Sequence, residues 1–260
     1  MRRMLLATAL VLAAFPAMAK MQTRPVSWEV DGKTFSGALV YDDAVKTRRP
    51  GLAMVPDWLG VTPQALEKAR QQAGRDYVIL VVDMYGKGVR PNNGDEARKQ
   101  VVALYSAPAT LRARIGKAID VLRAQAGKVP LDASRIGAFG FCMGGTTVLE
   151  LARAGSHPQL RGVVSFHGGL ERRGPVAGSI ATPVLVLNGA EDTGEMENVD
   201  AFQKEMDAAH ADWTLVNFAG AEHCFALEGK DADGCRYHPR AARRSFAMMR
   251  DFFGEVFAAP

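Results

Sequence analysis

One cysteine of the sequence lies in a segment that could support nucleophilic chemistry. Cys142 stands between glycines in GFCMGG (140–145), which follows an apolar run and opens a stretch with helical spacing. This is the G-x-S-x-G pattern of a nucleophile elbow with Cys in the Ser position, and glycines are needed because side chains there would collide with the strand and the helix. A helix N-terminus also favours a thiolate. The alternative is a buried cysteine beside helix-packing glycines, but the placement between strand and helix favours a nucleophile.

An acid and a base follow the cysteine along the chain. Asp192 ends NGAED (188–192), in the loop after another apolar run, where an acid that orients a histidine would lie. Its neighbour Glu191 is the alternative acid, and a helix cap or Asx turn is the structural alternative for Asp192. His223 lies in GAEHCF (220–225) after a later run and could reach a nucleophile two strands away. The sequence predicts Cys142, Asp192 and His223 as the catalytic residues.

Four other histidines compete with His223 for the role of base. His157, His210 and His238 lie near the ends of predicted helices and are expected to be solvated. His167 ends a strand in SFHGG (165–169) and should face the cleft. It is a candidate substrate contact at the rim of the cleft, with a structural hydrogen bond as the alternative.

The elements that must position these residues alternate along the chain. Short apolar runs cover residues 52–55, 78–82, 136–139, 163–166, 184–187 and 214–218, and helical spacing covers residues 64–74, 94–105, 111–126, 142–154, 199–210 and 239–257. An earlier pair of alternating runs, 26–30 and 34–41, flanks Asp31-Gly32, which is a hairpin signal. The pattern predicts one α/β domain with a doubly wound, mostly parallel sheet and an N-terminal antiparallel hairpin. In such sheets, active sites form outside the carboxyl ends of the strands.

The first residues have the pattern of a secretory signal peptide. Arg2 and Arg3 precede an apolar stretch (4–15), and Ala17-Met18-Ala19 is an A-x-A cleavage site. A membrane anchor is the alternative, but roughly 12 apolar residues are fewer than the about 20 that span a bilayer. We therefore expect residues 1–19 to be removed, and residues 20–260 to form a single exported domain, periplasmic or secreted, with no membrane span.

Composition and charge exclude several classes of function. Hydrophobic residues make up 48% and charged residues 23% of the 260 residues, as in ordinary globular proteins. The formal net charge falls from +4 to +2 without Arg2 and Arg3, and the remaining basic residues are scattered, so nucleic-acid binding is not expected. No His, Cys or Asp cluster has zinc-ligand spacing, and neither a metal nor an organic cofactor is expected.

The three cysteines predict one disulfide in an oxidising compartment. An odd number suggests one pair and one free thiol. Cys224 directly follows the proposed base, and Cys235 comes 11 residues later, after a polar segment that should form a surface loop. We predict a Cys224–Cys235 disulfide that restrains the loop carrying His223. The alternative is two unpaired cysteines.

Five segments together resemble the dienelactone hydrolase family of α/β-hydrolases, and in particular its exported branch. They are PDWLGV (56–61), DMYG (83–86), GFCMGG (140–145), GAED (189–192) and HCF (223–225), in family order across nearly the whole mature chain. The resemblance implies an α/β-hydrolase fold and hydrolysis of a small carboxylic ester or lactone. It maps the triad onto Cys142, Asp192 and His223, and the oxyanion-hole donors onto the backbone N–H groups of Met143 and Trp58.

The same comparison selects candidate substrate-binding residues, namely Asp57, Tyr85, Lys87 and His167. Dienelactone-cleaving members of the family carry Glu at the position of Asp57 and Arg at the positions of Lys87 and Leu227. Those arginines bind the substrate carboxylate, for which lysine is a weaker partner and leucine is none. The resemblance therefore implies an ester or lactone other than dienelactone.

Two other classes of function use the same residues. A thiol redox enzyme would need a resolving cysteine near Cys142, and the sequence has no C-x-x-C. A catalytically idle binding protein on the hydrolase scaffold would not need nucleophile, acid and base together. The favoured interpretation is an exported hydrolase that forms a thioester on Cys142. Nothing in the sequence indicates an oligomeric state.

Overall fold

The computed structural model describes residues 21–259, so the predicted signal peptide (1–19) lies outside the described residues. Its strands are β1 (Met21–Val30), β2 (Lys33–Asp42), β3 (Arg49–Val55), β4 (Val78–Val81), β5 (Leu131–Phe141), β6 (Leu160–Phe166), β7 (Val184–Gly189), β8 (Trp213–Phe218), β9 (Asp231–Ala232) and β10 (Cys235–Arg236). Its helices are α1 (Pro63–Ala73), α2 (Gly94–Tyr105), α3 (Pro108–Arg123), α4 (Met143–Ala154), α5 (Thr193–Met196), α6 (Val199–Ala208) and α7 (Pro239–Ala258).

Eight of the strands form one sheet in the order β1-β2-β4-β3-β5-β6-β7-β8. The pairs β1–β2 and β2–β4 are antiparallel, and the other five pairs are parallel. The predicted doubly wound α/β-hydrolase fold, with its antiparallel hairpin at the N-terminal edge, is confirmed. The order makes β3, β5, β6 and β7 consecutive neighbours, and because these strands are parallel their carboxyl ends meet at one edge of the sheet.

The N-terminal hairpin turns at Asp31 and Gly32, as predicted. Both residues have positive φ, 49° and 72°, which a two-residue turn between strongly twisted strands requires. The hairpin is longer than predicted, since β1 begins at Met21 and β2 continues to Asp42. Strand β2 also pairs with β4, and this second ladder buries its carboxyl half.

Helices cover both faces of the sheet, and this explains the apolar runs. Along β7, Leu185 and Leu187 pack in the core beneath α1 and α7, whereas Val184 and Val186 pack in the core beneath α3, α4 and α6. Strands that bury both faces are apolar throughout rather than alternating.

Some element bounds differ from the predicted ones. Helix α3 begins at Pro108 rather than at residue 111, because proline fixes a helical φ and fits the first turn. Strand β5 begins at Leu131 rather than at residue 136, because its first residues continue the ladder with β3. The pattern gave no signal for the short elements α5, β9 and β10. Within residues 21–259, no helix is long and apolar enough to cross a membrane.

Candidate active site

Cys142 occupies the turn between β5 and α4. Its φ is +53°, a conformation that non-glycine residues rarely adopt, and its N–H donates to the Phe166 carbonyl at 3.0 Å. A Cβ at Gly140 would overlap the backbone of Gly144, and a Cβ at Gly144 would overlap the carbonyl of Val55. Close packing of strand against helix thus requires both glycines and holds the strained turn in place. The half-buried Cys142 is the free thiol among the three cysteines.

Asp192 and His223 meet beside this cysteine. The loop after β7 carries Asp192, and the loop after β8 carries His223. Nδ1 of His223 lies 2.6 Å from Oδ2 of Asp192, and Cys142 lies close enough to the ring to raise its pKa. The neighbouring acid, Glu191, is exposed.

The charges around His223 favour its protonated form. Burial alone lowers the pKa of His223. The hydrogen bonds and the charges of Asp192 and Cys142 outweigh burial and raise that pKa to about 10. The raised pKa favours the imidazolium form of His223, which is the form that can donate a proton to a leaving group.

The two predicted oxyanion donors lie at the start of α4 and in the turn after β3. Met143 is the first residue of α4, where an N–H has no acceptor within the helix. Trp58 lies in a tight turn after β3. In that turn the Gly60 N–H donates to the Asp57 carbonyl at 2.9 Å, and the Leu59 N–H donates to Oδ1 of Asp57 at 3.0 Å.

Two of the predicted substrate contacts lie elsewhere. Tyr85 is 1% exposed, and its hydroxyl donates to the Trp58 carbonyl at 2.8 Å, so it supports the turn instead of lining the cleft. Lys87 is exposed beside the β1–β2 hairpin, where its N–H donates to the Thr34 carbonyl. Asp57 caps its own turn, and its other oxygen lies 3.6 Å from Nζ of Lys230.

His167 is fully buried, so its predicted place at the rim of the cleft is wrong. Its ring centroid lies 4.8 Å from that of His223 and 5.5 Å from that of Phe225. Among residues 21–259, no hydrogen-bond partner is found for either ring nitrogen. A φ of +38° turns the side chain behind the base. Burial and the charge of His223 lower the pKa of His167 well below its usual value, and the ring is neutral.

A cavity of about 430 Å³ opens beside the Trp58 turn; Phe141, which precedes the predicted nucleophile, lines it, whereas Cys142, Asp192 and His223 do not. Its apolar lining comprises Met54, Pro56, Leu59, Ala65, Phe141 and Leu227. Two ion pairs lie at its wall: Asp57 with Lys230 at 3.6 Å, and Lys68 with Glu228 at 3.7 Å. Sequence reasoning missed these lysines, because their partners lie far away in the chain and no local motif marks them.

A disulfide holds the loop that carries the base. Cys224 and Cys235 are joined, with 4.9 Å between their Cα atoms. His223 and Cys235 also form a β-bridge, and the Arg236 N–H donates to the His223 carbonyl at 2.9 Å. The backbone of the proposed base is therefore restrained covalently at the next residue and by hydrogen bonds from β10.

Removing this disulfide should cost stability. We expect Cys235→Ser to lower the free energy of unfolding by up to about 3 kcal/mol, because a short loop is no longer closed in the unfolded chain. Denaturant unfolding measures the loss. As a control, reducing conditions should lower the stability of the wild type but not that of Cys235→Ser, which has no bridge to lose. The oxidised, denatured wild type should show one reactive thiol, at Cys142. Three reactive thiols, or a bridge that includes Cys142, would contradict the pairing.

No group of three or more His, Cys, Asp or Glu side chains that could hold a metal ion is found in the described part of the chain. What the site brings together is a thiol, an imidazole and a carboxylate, and the two predicted oxyanion donors lie in adjoining turns. These groups can form and hydrolyse an acyl intermediate.

Known proteins share this fold over most of the chain. The solved structure named m3DLH is 36% identical, with a TM-score of 0.84, and the match covers 91% of this chain and 99% of that one. The dienelactone hydrolase-like promiscuous phosphotriesterase P91, from metagenomic libraries, is 31% identical, with a TM-score of 0.80 and the same coverage. The probable 2-oxo-3-(5-oxofuran-2-ylidene)propanoate lactonase of Bradyrhizobium sp is 25% identical over 238 residues, 86% of this chain and 92% of the relative.

The sequence profile of the dienelactone hydrolase family matches residues 35–257. That range includes the cysteine turn, the acid, the histidine and the Trp58 turn. Because this match covers most of the chain and the fold agrees, the chain belongs to the dienelactone hydrolase family.

Proposed function

We propose that the protein is an exported hydrolase of carboxylic esters or lactones that acts through a Cys142-His223-Asp192 triad. Its residues 20–260 would form a single α/β-hydrolase domain. The observation that carries the proposal is the pairing of His223 with Asp192 at 2.6 Å, in a loop close enough to the free thiol of Cys142 for that cysteine to raise the pKa of His223. Membership of a hydrolase family, with a lactonase among the relatives, supports the ester or lactone as the substrate class.

The arrangement leads to a two-step reaction. The Cys142 thiolate attacks the carbonyl carbon, a carbon–sulfur bond forms, and the Met143 and Trp58 amides hold the developing oxyanion. The His223 imidazolium gives its proton to the leaving alkoxide as the carbon–oxygen bond breaks. Water then attacks the thioester and passes a proton to the neutral His223. The carbon–sulfur bond breaks, and the thiolate, the imidazolium and the acid product result.

One inexpensive assay separates this proposal from its alternatives. We expect the protein to hydrolyse p-nitrophenyl acetate and to lose that activity after alkylation by iodoacetamide. A thiol redox enzyme would instead reduce or oxidise a dithiol substrate, although Cys224 and Cys235 are already joined to each other. An idle binding protein would show no turnover. No hydrolysis of any ester or lactone in a panel, or hydrolysis that survives alkylation of Cys142, would overturn the proposal.

The charges at the cavity predict tolerance of neutral substrates. Leu227 is apolar, Lys68 and Lys230 are paired with carboxylates, and Lys87 lies at the hairpin. We therefore expect kcat/KM for a neutral ester to be within about tenfold, roughly 1.4 kcal/mol, of the value for its carboxylate-bearing analogue.

Leu227→Arg provides the matched control for substrate charge. A new guanidinium at the cavity should shift the ratio of the two kcat/KM values toward the anion. If the wild type already prefers the anion by more than tenfold, the charge argument is wrong. Arg173, whose guanidinium lies 4.2 Å above the ring of Tyr105, would then be the candidate anchor.

Export is the second part of the proposal. The pattern of residues 1–19 and a disulfide beside the base both support an oxidising compartment. After expression in a Gram-negative host, the protein recovered from the periplasm should begin at Lys20 by intact mass. Full-length protein confined to the cytosol would overturn export and leave the hydrolase proposal standing.

A further inference from the structure

We propose that Tyr85 is a positioning residue for the oxyanion hole, which acts by anchoring the turn that carries the Trp58 N–H through the peptide unit that follows Trp58. The inference rests on the proposed function, because it assumes that the Trp58 N–H faces the oxyanion. It gives Tyr85 a role that is distinct from substrate contact.

The turn contains two peptide units with four polar groups. Between Asp57 and Trp58 lie the Asp57 carbonyl and the Trp58 N–H. Between Trp58 and Leu59 lie the Trp58 carbonyl and the Leu59 N–H. Three of these four groups form the hydrogen bonds described above, and the fourth is the Trp58 N–H. Since a trans peptide is planar, the Gly60 bond to the Asp57 carbonyl also fixes the direction of the Trp58 N–H, and the Tyr85 bond fixes the next peptide unit.

Tyr85 supplies the one of these three bonds that comes from another part of the fold. The bonds from Gly60 and Leu59 are internal to the turn, so they fix its conformation but not its position relative to the rest of the fold. The Tyr85 hydroxyl, 27 residues away in sequence, connects the turn to the segment after β4. The ring also lies under the turn, 3.4 Å from where a Cβ at Gly60 would be.

Tyr85 is itself held rigidly. The buried carboxylate of Asp83 accepts the N–H groups of Tyr85 and Gly86 through Oδ1, each at 3.0 Å, and that of Ser36 through Oδ2 at 3.0 Å. These bonds connect the backbone at Tyr85 to β2. Burial, and then the negative charges near the ring, raise the pKa of Tyr85 above its usual value, so the hydroxyl remains a donor.

Loss of the hydroxyl should act on the transition state. One oxyanion donor contributes about a hundredfold or more to kcat, and a misplacement of about 1 Å costs about a hundredfold. We expect Tyr85→Phe to lower kcat for a p-nitrophenyl ester by about ten- to a hundredfold, with KM changed by less than about threefold. In a trifluoromethyl ketone the carbonyl carbon bonds to the sulfur, and the carbonyl oxygen becomes an oxyanion. This inhibitor should bind more weakly to the variant by a similar factor.

Alkylation of Cys142 by iodoacetamide separates this role from a general structural one. The reaction needs the thiolate–imidazolium pair but develops no oxyanion, so its rate should stay within about twofold in Tyr85→Phe. Tyr41→Phe is the matched control: Tyr41 is also buried, and its hydroxyl contacts Arg24 at 3.2 Å, away from the site. We expect this control to keep wild-type kcat. Thermal unfolding of both variants shows that they are folded.

A second variant keeps the proposal testable if Tyr85→Phe does not fold. Asp57→Ala removes one internal bond of the same turn, and should give lower kcat with unchanged alkylation. The proposal fails if kcat of Tyr85→Phe stays within twofold of wild type, or if kcat and alkylation fall together. Failure of the proposed function would give a different result: Cys142→Ala would then retain its esterase activity.

Discussion

Alanine at Cys142 or at His223 is expected to lower kcat by about four to six orders of magnitude, and the double variant should lose little more than either single variant. Groups that act as one assembly are not additive, because the loss of either one abolishes the same step. The electrostatic interaction between Cys142 and His223, which raises the pKa of His223, is the physical basis for expecting this coupling. The measurement is kcat on one activated ester for the wild type, the two single variants and the double variant.

Two further variants serve as controls for this comparison of single and double variants. His157→Ala removes a histidine near Asp120, remote from Cys142, and should leave kcat unchanged. Cys142→Ser should retain slight activity, since serine is a weaker nucleophile that needs more help from the base. If the losses of the single variants multiply in the double variant, the two residues do not form one catalytic assembly.

The second large effect concerns the acid. Asp192→Asn is expected to lower kcat by about three to four orders of magnitude, because the amide neither holds the same tautomer of His223 nor stabilises the imidazolium. Glu191→Gln is the matched control, one residue away and exposed, and should stay within about twofold of wild type. A larger loss of kcat in Glu191→Gln than in Asp192→Asn would show that Glu191, and not Asp192, is the acid.

The Asp192 variant should also change how stability depends on pH. The pKa of His223 is about 10 in the folded protein and about 6.5 in the unfolded chain. A raised pKa stabilises the fold fully below pH 6.5, and this contribution disappears as the pH rises through 10. The difference in unfolding free energy between wild type and Asp192→Asn should therefore be largest near pH 6 and shrink toward pH 10.5. A constant difference would show that His223 does not carry this charge.

The features that sequence reasoning predicted correctly depend on local sterics or on periodicity. The turn at Cys142 requires Gly140 and Gly144 whatever surrounds it, so a short motif is sufficient to predict it. Strands buried on both faces leave apolar runs that are visible without coordinates. The order of nucleophile, acid and base along the chain pointed to Asp192 and His223, and the structure brings these two side chains into contact.

The features that were predicted wrongly depend on side-chain direction or on long-range contacts. His167 follows a strand at the correct edge, but a positive φ turns its ring inward, and a strand pattern does not encode that angle. Tyr85 lies at the same edge, but its hydroxyl direction follows from a turn elsewhere in the chain. The pairing of Asp57 with Lys230 likewise joins distant segments. Tertiary packing sets all three.

The most direct test of the central claim is to trap the acyl intermediate. Wild-type protein is mixed with an activated ester, quenched in acid within milliseconds, digested and measured by peptide mass. The proposed mechanism predicts that the peptide containing Cys142 gains the mass of the acyl group early in turnover, and that Cys142→Ala gains none. Acylation of another residue at the rate of turnover, or the same mass gain in Cys142→Ala, would contradict the assignment of Cys142 as the nucleophile.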